Sequence, residues 1–172
     1  MRVDKPMETT ELISRYLASP DTKSAVVAEL SRNADAAFQA IQSYQGPYPN
    51  GMHPIDAHEE YLTALLVELI KRFPRLLIGP NPAKMTSQPF ILISAAIAAD
   101  DPRFAETILA GLKHRSIYVK LVALNGIVRL SFLRTPEVKQ QLLRLMVMKS
   151  IAKDEYSMER IQEALALFPN SL

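Results

Sequence analysis

Residues 58–62, with the sequence His-Glu-Glu-Tyr-Leu, begin like the helix of a zinc protease. In such a helix a second histidine follows the first by four residues, so that both rings bind the metal from one face. The residue in that position here is Leu62, and the second ligand is therefore missing. The motif predicts no metal site.

Asp100 and Asp101 have the chemistry of an acid–base pair or a metal site, but Pro102 follows them directly. Aspartate before proline is typical of the first turn of a helix, and we expect the pair to begin one. His53 and His114 have no partner that the sequence identifies. Because cysteine, a phosphate-binding glycine loop and a nucleophile-elbow serine are also missing, we expect no enzyme activity, no metal and no cofactor.

The composition places the chain among globular proteins rather than disordered ones. Of its 172 residues, 48% are hydrophobic and 22% are charged, which is enough apolar surface to form a core without crosslinks. The longest apolar run, 90–99, is half the length that a membrane span requires. The absence of cysteine fits a reducing compartment, and the first residues lack the apolar stretch of a secretory signal. We therefore expect a cytoplasmic protein with no membrane partner.

Apolar residues recur with helical spacing from end to end, and no segment alternates as a strand would. The sequence thus predicts one all-α domain over 1–172 with about 7–9 helices. Residues 7–45 are expected to form an N-terminal helical hairpin, either with a break at Asn33 or with one long second helix. Residues 54–99 form the middle helices, including one from Pro54 to about Phe73, and 100–168 form two further hairpins. The remaining helix boundaries are expected at Ser19-Pro20, Ser87, Asp101-Pro102, Ser116 to Leu133, Thr135-Pro136 to Ile151, and Asp154 or Ser157 to Phe168.

The segment 104–130 resembles a HEAT-type repeat unit. Leu109 and Leu112 lie in its first helix, and Val119-Lys120 followed by Gly126 lie in its second. A shift of 39 residues brings 158–166 onto the same pattern, which is close to the HEAT period of ~40–47 residues. The resemblance implies stacked antiparallel helical hairpins forming an α-solenoid, with Lys120 at a turn where it can bind carbonyl groups. An irregular helical bundle is the alternative.

The resemblance also implies a function, because stacked hairpins bind macromolecules rather than transform small molecules. Small cysteine-free chains of this kind are similar to bacterial immunity and antitoxin proteins, which neutralise a cognate toxin by covering its active site. We therefore expect a non-enzymatic protein-binding module with one protein partner. A general adaptor or chaperone is an alternative.

The acidic helix 54–70 and the loop before it are the predicted binding face. This helix contains four acids and no lysine or arginine, which would suit the basic substrate groove of a nuclease toxin. Loop 46–54 combines three prolines with tyrosine and histidine, and together with Tyr44 just before it is expected to present side chains such as Tyr44 and Tyr48 as interface anchors; a simple connector is the alternative. The predicted partner-binding residues are Tyr48, His53, Asp56, Glu59 and Glu60.

Residues 103–153 form a basic stretch and supply the alternative function. They contain ten lysines and arginines against two acids, a local net charge of +8. Such a stretch could bind a phosphate backbone, so a nucleic-acid-binding helical-repeat protein is the second hypothesis. A solvated basic face explains the same pattern without any ligand.

Overall fold

The computed structural model describes residues 8–78 and 89–169 and is all-helical over both ranges. No strand occurs in these ranges, and nine α-helices of six or more residues do, which confirms the predicted all-α class. The chain divides into two compact units, Met1–Gly79 and Pro80–Leu172. The interpretation as a single domain stays a prediction.

The first unit contains four α-helices of six or more residues within residues 8–78. These are α1 (Thr9–Ala18), α2 (Lys23–Leu30), α3 (Ala34–Gln42) and α4 (Thr63–Arg72). A helical turn (Pro54–Asp56) and a π-helix (Ala57–Leu62) lead directly into α4. The predicted helix from Pro54 to about Phe73 is therefore present, with an irregular beginning.

The break at Asn33 is confirmed. A 3₁₀ turn, Ser31–Asn33, separates α2 from α3, and the Asn33 side chain accepts a hydrogen bond from the backbone N–H of Ala36. Asparagine satisfies an otherwise unpaired N–H at a helix start in this way. The stripe from Val26 to Ile41 is consequently divided between two helices, both of which bury their apolar residues.

The second unit, as far as residues 89–169 describe it, contains five α-helices of six or more residues. These are α5 (Pro89–Ala99), α6 (Ala105–Ala110), α7 (Ile117–Arg129), α8 (Pro136–Met146) and α9 (Glu155–Ala166). Helix α5 is apolar almost all round and lies between α6 and α7, as its sequence predicts. No helix within the described ranges is both long and apolar enough to cross a membrane.

Two glycines of this unit lie where helices approach closely. A Cβ atom at Gly126 of α7 would lie 2.9 Å from both Ile108 Cγ2 and Ile97 Cγ1, and one at Gly111 would lie 2.8 Å from Ile93 Cδ1. Glycine at these positions allows α7 and the end of α6 to pack directly against α5.

Three predicted helix starts are confirmed by capping hydrogen bonds. The side chains of Asp101, Thr135 and Asp154 accept from the backbone N–H groups of Arg103, Val138 and Ser157. The helix start at Ser116 is confirmed as well, but the Ser116 side chain makes no capping hydrogen bond; its backbone N–H donates to Nδ1 of His114. The predicted cap at Ser87 lies outside the described residues.

Two predicted helix ends are also wrong. Helix α7 ends at Arg129, and Ser131–Leu133 form a separate 3₁₀ turn. Helix α8 ends at Met146 rather than Ile151, because Met148 adopts an extended backbone conformation. A short helical turn, Lys149–Ala152, follows and directs Ile151 into the core.

Candidate partner-binding surface

The loop before the acidic helix is held by two tyrosines. Tyr44 is buried, and its hydroxyl donates a hydrogen bond to the carbonyl of Pro47 at 2.5 Å. Its ring meets that of Tyr48 edge to face, with centroids 5.7 Å apart. The expectation that Tyr44 is exposed for a partner is therefore wrong, because this side chain fixes the loop from within.

Tyr48 joins the loop to the π-helix. Its hydroxyl lies 2.9 Å from Nε2 of His58, a residue that is itself buried in the π-helix. Burial raises the pKa of the Tyr48 phenol, so the hydroxyl remains protonated and able to donate to the imidazole. The polar group of this predicted site residue is thus engaged inside the unit.

The π-helix determines which residues at the start of the acidic helix are buried and which are exposed. In a continuous α-helix, Ile55 and Leu62 are seven residues apart and would share the buried face. The π-helix adds a residue to the turn between them, and the Thr63 hydroxyl donates to the carbonyl of His58, five residues back, at 2.9 Å. As a result, Ala57 and His58 face the core and Ile55 is 55% exposed.

Ile55 was not among the predicted site residues. Its backbone is fixed by the residues that precede it. Pro54 fixes the first helical position, and Nδ1 of His53 accepts a hydrogen bond from the N–H of Ile55 at 3.2 Å. His53 is exposed, and the structure thus assigns its ring nitrogen a capping role. The sequence signal for Ile55 is weak, since only the π-helix turns this residue outward.

Three predicted carboxylates follow this apolar residue within five positions and are exposed: Asp56, Glu59 and Glu60. Glu60 also acts on a neighbouring helix. Burial, the nearby Tyr61 hydroxyl and the Glu60 carboxylate together raise the pKa of Tyr16 in α1 to about 12. The structure thus places Glu60 close to the junction of α1 and the π-helix. We call His53, Ile55, Asp56, Glu59 and Glu60 the acidic surface.

The basic stretch 103–153 is partly engaged in internal contacts. Arg103 binds the Asp101 carboxylate through Nε and Nη2, and this contact lowers the pKa of Asp101. Lys120 is buried, and its ammonium donates to the carbonyl of His114, which confirms the predicted carbonyl contact. Arg134 donates to the carbonyls of Ile127 and Val128 at the end of α7. These three residues stabilise the unit and are not available as a phosphate-binding row.

The acidic surface is chemically mixed. It combines an exposed apolar side chain, an imidazole and three carboxylates, all on a backbone that the Tyr48–His58 contact holds in place. Across the described residues, no three histidine, aspartate or glutamate side chains are grouped as metal ligands would be. No known family model matches the chain, and neither a curated protein nor a solved structure is significantly similar to it.

Proposed function

We propose that this chain is a non-enzymatic protein-binding module that binds a basic partner through its acidic surface. The observation that carries the proposal is the exposure of Ile55, a large apolar side chain 55% open to solvent in the first turn of the acidic helix. Apolar anchors surrounded by polar residues are the usual centres of protein interfaces. The carboxylates around it favour a positively charged surface on the partner.

The rigidity of the acidic surface supports this role. Binding costs less free energy when the contacting side chains are already held in place, because fewer conformations are lost. The Tyr48 hydrogen bond to His58, the Tyr44 contact with Pro47 and the His53 cap all restrict this part of the unit before any partner arrives.

A narrower form of the proposal is that the partner is a toxin and that the chain is a bacterial immunity protein or antitoxin. Its helical hairpins would then stack as in HEAT repeats and present the acidic surface to the substrate groove of a nuclease. Such a groove must be basic to hold nucleic acid, so an acidic protein surface can occupy it in place of the phosphates.

The test is capture of the partner from the native cells with the full chain and two separate variants, Ile55→Ser and Glu60→Lys. A partner of the acidic surface should be lost with both, since one removes the apolar anchor and the other reverses a charge. Glu11→Lys is the matched control, because Glu11 is an exposed glutamate of α1. If all variants capture the same protein equally well, the acidic surface is not the binding site.

A second measurement separates a toxin from other partners. The captured protein is purified and its nuclease activity measured as the chain is added. An immunity protein should abolish the activity at an equimolar ratio, and Ile55→Ser should shift inhibition to higher concentration. A partner whose activity does not change on binding would identify the chain as an adaptor instead.

A further inference from the structure

The second unit carries an exposed apolar group beside basic residues, whereas the acidic surface of the first unit carries carboxylates. Val147, directly after α8, is 80% exposed, and Leu143 and Met148 beside it in the sequence are 42% and 43% exposed. Leu143 and Val147 are four residues apart and so lie on one side of the end of the helix. These three side chains form the most exposed group of neighbouring large apolar residues in the second unit as described.

The backbone beneath this group is anchored in the core. Leu142 and Leu145 of α8 are buried, and Ile151 in the turn Lys149–Ala152 is 2% exposed. Buried residues thus alternate with exposed ones through the break after Met146. A fixed backbone keeps these apolar side chains exposed to solvent. This exposure is unfavourable in hydration free energy, and the fold itself does not require it.

Within 138–153 the charged residues have one sign, whereas Asp154 and the exposed Glu155 follow directly. Arg144, Lys149 and Lys153 are exposed, and residues 138–153 contain no acid. Asp154, the next carboxylate, accepts hydrogen bonds from the N–H and hydroxyl of Ser157 as a helix cap. Glu137 lies at the other end of α8, about 15 Å away along the helix axis. We call Leu143, Arg144, Val147, Met148, Lys149 and Lys153 the basic apolar tip.

We infer that the basic apolar tip binds an acidic amphipathic helix of a protein partner. The apolar stripe fits the apolar face of a helix, and the three cations fit carboxylates at the edges of that face. A nucleic acid fits less well, because its phosphates make no use of Val147 and residues 138–153 hold no aromatic side chain for base stacking. The tip therefore serves a partner different from the basic one proposed for the acidic surface.

The test uses a fluorescent synthetic peptide of about 16 residues, with leucines on one helical face and glutamates elsewhere. Its binding to the full chain is measured by fluorescence anisotropy. A peptide of the same composition in scrambled order, which has no apolar face, is the control ligand. The amphipathic peptide should bind in the micromolar range and the scrambled peptide at least about tenfold more weakly.

Two protein variants are compared. One is Val147→Ser alone, and the other is the double variant Lys149→Glu with Lys153→Glu. Each should weaken peptide binding about tenfold without changing the melting temperature, because these side chains are exposed. Lys113→Glu with Arg115→Glu, two exposed basic residues elsewhere in the unit, should leave binding unchanged. Equal binding of both peptides, unchanged binding by the tip variants, or tighter binding of single-stranded RNA or anionic vesicles through the same residues would overturn the inference.

Discussion

The Tyr48 hydroxyl and the His58 imidazole join two segments of the first unit, with 2.9 Å between the oxygen and Nε2. Tyr48 belongs to a proline-rich loop, and His58 is buried in the π-helix. Their contact fixes where the loop meets the start of the acidic helix. The exposed residues of the acidic surface, His53 to Glu60, lie directly around this junction.

Tyr48→Phe should therefore destabilise the first unit. The substitution removes the hydrogen bond between the Tyr48 hydroxyl and Nε2 of His58, at an expected cost of about 1 kcal/mol in the free energy of unfolding. Urea denaturation followed by circular dichroism measures this. Tyr156→Phe is the control, because Tyr156 is exposed on α9. In a double-mutant cycle with His58→Ala, the effect of Tyr48→Phe should largely disappear; additive effects would show that the two groups do not interact.

Arg134 is expected to act as a structural residue rather than as a phosphate ligand. Its guanidinium donates to the carbonyls of Ile127 and Val128 at 3.0 and 2.6 Å, which satisfies two acceptors at the end of α7. Arg134→Met should lower the free energy of unfolding by about 1–2 kcal/mol. Arg129→Met, which removes an exposed arginine of the same stretch, should have little effect. Equal losses from both variants would contradict the assignment.

The sequence predicts the helices well wherever a local rule determines their ends. Asp101, Thr135, Asp154 and Asn33 cap helices because the hydrogen bond joins residues two or three apart, and the side chain alone indicates it. Ser116 also lies at the N-cap position of a helix, but its hydroxyl caps nothing; here a bond from its own N–H to the ring of His114 holds the residue before the helix. A competing local acceptor is not visible in the helical pattern.

The candidate site is less predictable, because its geometry depends on contacts between segments. Exposure of Asp56, Glu59 and Glu60 follows from their charge. The outward direction of Ile55 depends on the π-helix, and helical periodicity assigns Ile55 to the buried face. The burial of Tyr44 depends on its packing against other helices of the unit, and loop composition alone predicts the opposite.

Gly126→Ala tests the close packing of the second unit. Alanine is the better helix former by about 1 kcal/mol, yet its Cβ would lie 2.9 Å from Ile108 Cγ2 and from Ile97 Cγ1. We expect the steric cost to dominate and the free energy of unfolding to fall by about 1–2 kcal/mol in chemical denaturation. In an Ile97→Ala background the loss should be smaller, since one of the two contacts is gone. A gain in stability would show that the helices can separate at little cost.

The Glu60 carboxylate contributes to the raised pKa of Tyr16. The pH dependence of stability therefore reports on one residue of the acidic surface. Tyr16 has a pKa of about 12, raised first by burial and further by Tyr61 and the Glu60 carboxylate. The unfolded chain loses this proton near the ordinary pKa of 10, so between the two values the folded chain binds more protons. The stabilising contribution of the Tyr16 hydroxyl is therefore complete below pH 10 and is lost as the pH rises towards 12.

Wild-type protein should accordingly lose roughly 2 kcal/mol relative to Tyr16→Phe between pH 9 and pH 12, measured by urea denaturation at each pH. Comparing the two proteins cancels the ionisation of every other tyrosine and lysine. Glu60→Gln removes the nearby negative charge, so the absorbance titration of Tyr16 in that variant should move to lower pH. If the titration does not move, Glu60 does not influence Tyr16, and its carboxylate lies farther from α1 than the structure places it. A partner that neutralises Glu60 on binding should move the titration in the same direction as the substitution.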